Sequence, residues 1–305
     1  VNLSISVPSK SFFVGEYLAL HGGPVLTINT HPRFELSVES GKFQNPFHEE
    51  SPAGKLISQN YGSLRDLSLV FKDPHHGRGG FGASSAQFAM VYALKNIQAH
   101  FSLDSERFYN WKVLLKDYQD LATNSAVRPS GADLIGQVCG KMTYFHKNQG
   151  KIKTFSWPFS EIGFCILRTG FKLATHEHLK SLVEFNSAEF AKAALQVIDG
   201  LAKIDSQEVV AGVQNYHREL IKQKKVAHET LVLLRNFENL EGVLAMKGCG
   251  ALGADAVMLV FETCSDFLNQ IRSLNLEVLA THKDLSEGML IQDLKKEKIF
   301  FERTT

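Results

Sequence analysis

Cysteine is scarce: Cys139, Cys165, Cys249 and Cys264 are spread over 305 positions, with no Cys-x-x-Cys pair and no histidine at zinc-finger spacing. That argues against a disulfide scaffold and a structural zinc site. Net charge is equally slight, 33 Lys and Arg against 32 Asp and Glu, so bulk electrostatics does not draw the chain to nucleic acid. Long apolar runs are missing too; the strongly apolar stretch Ala256–Phe261 is far shorter than the roughly 20 residues of a membrane helix. The opening residues Val1–Ser11 lack the basic start and apolar centre of a secretory signal. The expectation is a cytoplasmic protein with reduced thiols that works without membrane or nucleic acid. What is present, 44% hydrophobic and 21% charged residues, suits a globular chain of one large or two smaller domains.

Alternation at Leu3, Ile5 and Val7, and again at Phe34, Leu36 and Val38, predicts strands of a half-buried antiparallel sheet. Gly41–His76 is polar and broken by three prolines, with a strand only at Leu67–Phe71, and reads as a surface loop or a flap. Ser84–Ala99 is apolar on nearly every face and predicts a buried helix; further helices are expected at Ser105–Thr123 and from Ser130. A polar, glycine-containing stretch at Lys147–Pro158 suggests a domain boundary. Beyond it, a strand at Ile162–Leu167 leads into helices capped by Ser187, Ser206 and Ser265 and strands at Ala256–Phe261, Leu276–Leu279 and Ile299–Phe301.

Three glycine-rich segments carry the chemistry. Gly77-Arg-Gly-Gly-Phe-Gly-Ala-Ser-Ser-Ala86 opens directly into the buried helix, where glycine lets backbone N–H groups approach a ligand and the helix start favours an anion. It is neither a Walker A loop, lacking Gly-Lys-Ser/Thr, nor a dinucleotide fingerprint. Pro8-Ser-Lys10 leads into a Gly15-Glu16-Tyr17 turn and Gly22-Gly23; Lys247-Gly-Cys-Gly250-Ala-Leu-Gly253-Ala-Asp255 leads into the apolar Ala256–Phe261 strand. A fourth segment, Arg128-Pro-Ser130-Gly131-Ala-Asp133, places an acid in the first turn of a helix, where it is electrostatically favoured. His75-His76 and His176-Glu-His178 lack metal-ligand spacing and read as surface histidines, and Lys222–Lys225 reads as a solvated helix end.

Together and in this order, the segments resemble the signature of the GHMP small-molecule kinases, named for galactokinase, homoserine kinase, mevalonate kinase and phosphomevalonate kinase. Pro8, Lys10, Gly15, Glu16 and Gly22 match the first motif, Gly80–Ala86 the phosphate-binding second, and Gly250-Ala-Leu-Gly253 the third. Arg128–Asp133 is similar to the Pro-Ser-Gly-x-Asp of mevalonate kinases and the Ser-Gly-x-Asp of phosphomevalonate kinases. The resemblance implies an α+β, two-domain fold: residues 1–155 like ribosomal protein S5 domain 2 and holding the ATP phosphates, residues 156–305 ferredoxin-like.

It also implies Mg-ATP-dependent phosphoryl transfer to a hydroxyl or phosphate of a small acceptor, with mevalonate or phosphomevalonate, precursors of isoprenoids, placed first. Asp133 is then the catalytic base, and Lys10 keeps that carboxylate ionised and stabilises charge. Gly80, Gly82, Ala83, Ser84, Ser85 and Ala86 hold phosphates, and Glu16, Tyr17, Ser130, Gly131, Gly250 and Gly253 serve the acceptor. Ser84 or Ser85 binds Mg2+. The family's metal-binding glutamate, eleven residues before the base, falls on Ala122, so Asp120 takes its place or the ligand is missing. Gly15-Glu16-Tyr17 and Asp255 look like phosphomevalonate kinase, whereas Pro129-Ser130-Gly131 and Lys172–Thr175 look like mevalonate kinase. The alternatives are a noncatalytic nucleotide-binding regulator, another sugar or amino-acid kinase of the family, or diphosphomevalonate decarboxylase. The partner is a small-molecule acceptor, with a homodimer as one assembly option.

Overall fold

The computed structural model describes residues 2–100, 110–123, 127–170, 186–294 and 298–302. The chain divides into two compact units, each built from separated segments: Val1–Lys10, Asn29–Lys141 and Ser286–Thr305 form one, and Ser11–Ile28 with Met142–Leu285 the other. Strands β1 (Asn2–Val14) and β2 (Pro24–Ser40) supply residues to both. Among the described residues no helix is long and apolar enough to cross a membrane.

In the first unit, β3 (Leu67–Lys72) lies antiparallel on the far half of β2, pairing Val38 with Leu69. Late in the chain, β10 (Leu290–Asp293) returns to pair antiparallel with the start of β1, Ile5 opposite Ile291, and β11 (Lys298–Glu302) adds to β10. The half-buried Arg33 secures this return: its guanidinium donates to Ser6 Oγ and O, Ser286 Oγ, and the carbonyls of Glu287 and Gly288. Burial lowers its pKa to about 10, with Glu287 opposing.

Among the described residues five helices complete this unit: α1 (Pro52–Gln59), α2 (Tyr61–Leu64), α3 (Ala83–His100), α4 (Trp111–Leu121) and α5 (Ala132–Cys139). Helices α1 and α2 lie where the sequence suggested a loop. Their origin is local, because Ser51 accepts the Gly54 N–H at 3.0 Å as an N-cap and Pro52 occupies the first helical position. Helix α3 packs on α1 and α5, and buries Ala86, Phe88, Ala89, Met90, Val91 and Leu94, as its apolar sequence requires. The described part of the expected Ser105–Thr123 helix is α4; residues 105–109 lie outside the described residues, as do Lys172–Thr175 and His176–His178.

In the second unit the near half of β2 pairs antiparallel with β4 (Met142–His146), and β4 with β5 (Lys151–Phe155). Residues 147–150 are the turn between these strands. A four-stranded antiparallel sheet follows in the order β7-β8-β6-β9, from β6 (Ile162–Arg168), β7 (Val243–Cys249), β8 (Ala256–Glu262) and β9 (Val278–Thr281). Strand β8 is buried on both faces. Ala256, Met258 and Val260 join a core with Phe164, Phe190, Val197, Val213 and Tyr216, while Val257, Leu259 and Phe261 join Leu234, Phe237, Phe267 and Ile271. Each fully buried phenylalanine contributes about 1.5–3 kcal/mol, and two-sided burial explains why the strand reads as an unbroken apolar run.

Helices α6 (Ser187–Lys203) and α7 (Ser206–Lys222) pack on one another, α7 and α8 (His228–Arg235) pack on β7, and α9 (Phe267–Ser273) belongs to the second core. The caps fall one residue away from the serines expected. Asn186 and Asp205 accept the N–H groups of Ala188 and Glu208, and Asp266 precedes α9. All three neighbours are good capping types, so composition alone left the register open.

Candidate active site

The first unit gathers the glycine loop, Lys10 and Asp133. Strand β1 is tied to the loop by the Lys10 N–H, which donates to the Phe81 carbonyl at 3.0 Å. Gly80 and Gly82 both adopt left-handed backbone, φ 99° and 85°. At Gly82 glycine is needed twice over: an added Cβ would stand 2.8 Å from Lys10 Cγ and 2.9 Å from Gln137 Nε2. The chain then enters α3 at Ala83, with the Ala86 N–H closing on the Gly82 carbonyl at 2.9 Å.

The two adjacent serines part company here. Ser85 is fully buried and donates to Gln137 Oε1 at 2.7 Å, with the Gly82 carbonyl 3.0 Å away. Ser84 is exposed at the helix start and hydrogen-bonded to the Tyr118 phenol. Of the two residues, only Ser84 is exposed. Burial, and then the nearby Asp133 carboxylate, push the Tyr118 phenol well up.

Gln137 organises the loop from below. Fully buried on α5, it donates through Nε2 to Pro8 O at 2.9 Å and Gly82 O at 3.1 Å while accepting from Ser85. The sequence reading missed it. Its signal was a lone amide in an otherwise apolar helix turn, one turn beyond Asp133.

Asp133 lies half-buried in the first turn of α5, where the helix dipole favours a carboxylate, and its Oδ1 is 3.0 Å from the Leu134 N. Gly131, rather than Ser130, is the N-cap, at φ 78°; a side chain there would collide with Leu115 Cδ1. Ser130 Oγ accepts the Ala132 N–H at 3.3 Å, and Gln119 holds the Pro129 carbonyl at 2.7 Å. Asp120 stands apart from this group. Tyr118 turns inward and Asp120 lies about 200° further round α4, exposed and paired with Lys116 at 2.6 Å and Arg128 at 3.0 Å. The structure thus gives no support to Asp120 as a metal ligand.

The remaining segments meet within the second unit, in its interior. Glu16 pairs with the fully buried Lys247 at 2.9 Å. The Lys247 ammonium also contacts Phe12 O at 3.4 Å and Cys249 Sγ at 3.5 Å, and lies 5.8 Å from the Tyr216 ring centroid. Burial works to lower its pKa, but Cys249 and Glu16 outweigh it and hold the ammonium charged. Tyr17, 2% exposed, packs on Phe190 and donates to Lys225 O at 3.2 Å. Its hydroxyl therefore serves the interior of this unit. Lys225 is itself buried, with its ammonium 6.0 Å from the Tyr17 ring centroid, so the basic run is not wholly a solvated helix end. Gly250 clears the Asp255 carboxylate, and Gly253, whose carbonyl accepts from Thr230, would place a Cβ 2.8 Å from Gly248 Cα.

No family model and no curated protein matches the chain by sequence. Its fold is nevertheless that of the GHMP kinases among solved structures. Phosphomevalonate kinase of Streptococcus pneumoniae superposes with a TM-score of 0.73 at 16% identity, covering 92% of this chain and 98% of that one. The same enzyme in complex with phosphomevalonate and AMPPNP gives 0.71 at 16%, covering 91% and 98%. Mevalonate kinase of Methanococcus jannaschii gives 0.66 at 14%, covering 92% and 98%, and galactokinase of Lactococcus lactis complexed with galactose 0.70 at 11%, covering 94% of each chain.

Proposed function

We propose that the chain is an ATP-dependent small-molecule kinase whose nucleotide phosphates sit on the Gly80–Ala86 loop. The observation that carries this reading is the grouping of that loop, an exposed Ser84 at the start of an 18-residue helix, and the Asp133 carboxylate beside Tyr118 within one unit. Backbone N–H groups of Gly80, Gly82, Ala83 and Ser84 are assigned to the phosphates, while the Ala86 N–H closes the first turn of α3 on the Gly82 carbonyl. Mg2+ fits such a site because it keeps several waters and takes phosphate oxygens, so the Ser84 hydroxyl suffices as a protein donor; bound there, it neutralises charge on the transferring group. Ser85 is assigned to loop support.

In the transfer, an oxygen of the acceptor bonds to the γ-phosphorus as the bond to the β-phosphate oxygen breaks, and ADP departs. Asp133 accepts or orients the acceptor's proton, and Lys10 stabilises the charge that develops. Ser130 and Gly131 shape the acceptor side by setting the entry to α5. Glu16, Tyr17, Gly250 and Gly253 are assigned to support of the second unit, in view of their burial and packing.

Mevalonate and phosphomevalonate stand first as acceptors, supported by the Arg128–Asp133 segment and by the fold shared with kinases of those names. The test is ADP release from Mg-ATP with mevalonate, phosphomevalonate, diphosphomevalonate, galactose and homoserine, using Asp133→Asn as control. Turnover with one acceptor, lost about 100-fold or more in Asp133→Asn while Mg·ADP still binds, is expected. A protein that binds Mg-ATP but turns over none of them, or an Asp133→Asn variant as active as the parent, contradicts the assignment.

A further inference from the structure

We propose that His75 is a positioning residue that locks the phosphate loop from its inner side, a proposal that rests on the nucleotide reading above. The sequence suggested a surface histidine, but His75 is only 7% exposed. Its imidazole lies over the Phe81 ring, centroids 4.4 Å apart and planes 26° from parallel, and 5.7 Å from the Phe34 ring. Phe81 is the one large side chain between Gly79 and Gly82, and it is itself buried. With glycine on both sides the backbone has little conformational preference of its own, so the ring that holds Phe81 sets the direction of the neighbouring N–H groups.

The histidine is itself anchored. Its Nε2 is 2.7 Å from Ser9 Oγ, the residue before Lys10, and Ser9 Oγ donates to Pro32 O at 2.6 Å. The hydroxyl has one proton, and the carbonyl can only accept. Nε2 must therefore carry a hydrogen and donate it to Ser9. On the backbone side, Asp73 accepts the His75 and Gly77 N–H groups, both at 2.8 Å, and the His75 carbonyl accepts from Arg78 at 3.0 Å. One residue thus links the Asp73 turn, the strand carrying Lys10 and the ring inside the loop. Such an arrangement arranges the phosphate donors before a ligand arrives, and its loss should be felt in proportion to the phosphates bound.

The experiment compares calorimetric titrations of Mg·ADP and of adenosine into wild type, His75→Leu and His75→Phe. His75→Leu keeps apolar volume but loses the stack and the donor, and should weaken Mg·ADP about tenfold while adenosine changes less than about twofold. His75→Phe keeps a ring against Phe81 and should recover most of the Mg·ADP affinity, which also serves if His75→Leu folds poorly. Equal losses for adenosine and Mg·ADP, or wild-type Mg·ADP affinity in both variants, overturn the proposal. A wild-type protein that binds no Mg·ADP removes the nucleotide reading itself, and this proposal with it; unchanged Mg·ADP binding in the variants removes this proposal alone.

Discussion

Two glycine-rich segments of this molecule look alike in sequence and are built to opposite ends. At Gly77–Ala86 the surrounding polar groups are mostly neutral, supplied by Gln137, Ser85, Ser9 and His75, and the segment ends at a helix start with Ser84 exposed. At Lys247–Asp255 the glycines make room for the protein's own groups, and the nearby charges, Lys247 and Glu16, neutralise each other in the interior of their unit. A cluster of glycines therefore does not itself mark a phosphate site. The difference lies in whether a helix start and an exposed donor follow, because those leave hydrogen-bonding capacity for a ligand.

The comparison breaks most visibly at the buried pair. Lys247→Met leaves the Glu16 carboxylate inside without its cation and should cost about 3–5 kcal/mol in urea unfolding, whereas Lys247→Met with Glu16→Gln should regain much of that loss. A single variant as stable as the parent would mean that Glu16 is solvated after all. Acid sharpens the same point. Burial, and then the Lys247 ammonium, lower His217 to about 4, so in the folded protein it stays neutral where the unfolded chain, with an ordinary value near about 6.5, takes up a proton. Stability from this group is thus complete above about pH 6.5 and is lost as pH falls toward about 4, by up to about 1.4 kcal/mol per pH unit. Stability measured across that range in His217→Gln should show a shallower acid decline, and parallel curves would contradict the cause given.

The smallest effects separate the serines of the other segment. Ser85→Ala removes a buried donor to Gln137 and should cost about 1 kcal/mol of stability. Ser84→Ala takes a partner from the buried Tyr118 phenol and should cost about 1 kcal/mol as well, but of the two variants it alone should raise the Mg2+ concentration needed for half-maximal turnover. A reversal of these roles would place the metal on the inner serine.

Much of this contrast was legible in the residues. Gly80–Ala86 runs into a helix apolar on nearly all faces, and that helix forms; the Ala256–Phe261 run becomes a strand between two cores. The less legible parts depend on partners distant in the chain. Gln137 meets Pro8 and Ser85, and His75 meets Ser9, so the residues beside each do not name its partners, and the apolar turn around Gln137 marks only that the amide is buried. Lys247 likewise resembles any lysine before a turn until Glu16, far earlier in the sequence, is brought to it. Helix α1 is a different case, since Ser51-Pro52 was a readable start that the neighbouring prolines obscured. The polar, glycine-containing 147–150 stretch has the composition of a linker and is a hairpin turn, because both connect ordered segments through solvent.

The central claim, that Gly80–Ala86 binds nucleotide phosphates, is tested most directly by backbone hydrogen exchange with and without Mg·AMPPNP. The account predicts slowed exchange at the amides of residues 80–86. Unchanged exchange at 80–86, with slowing at 247–253 instead, would contradict it and exchange the roles of the two glycine-rich segments.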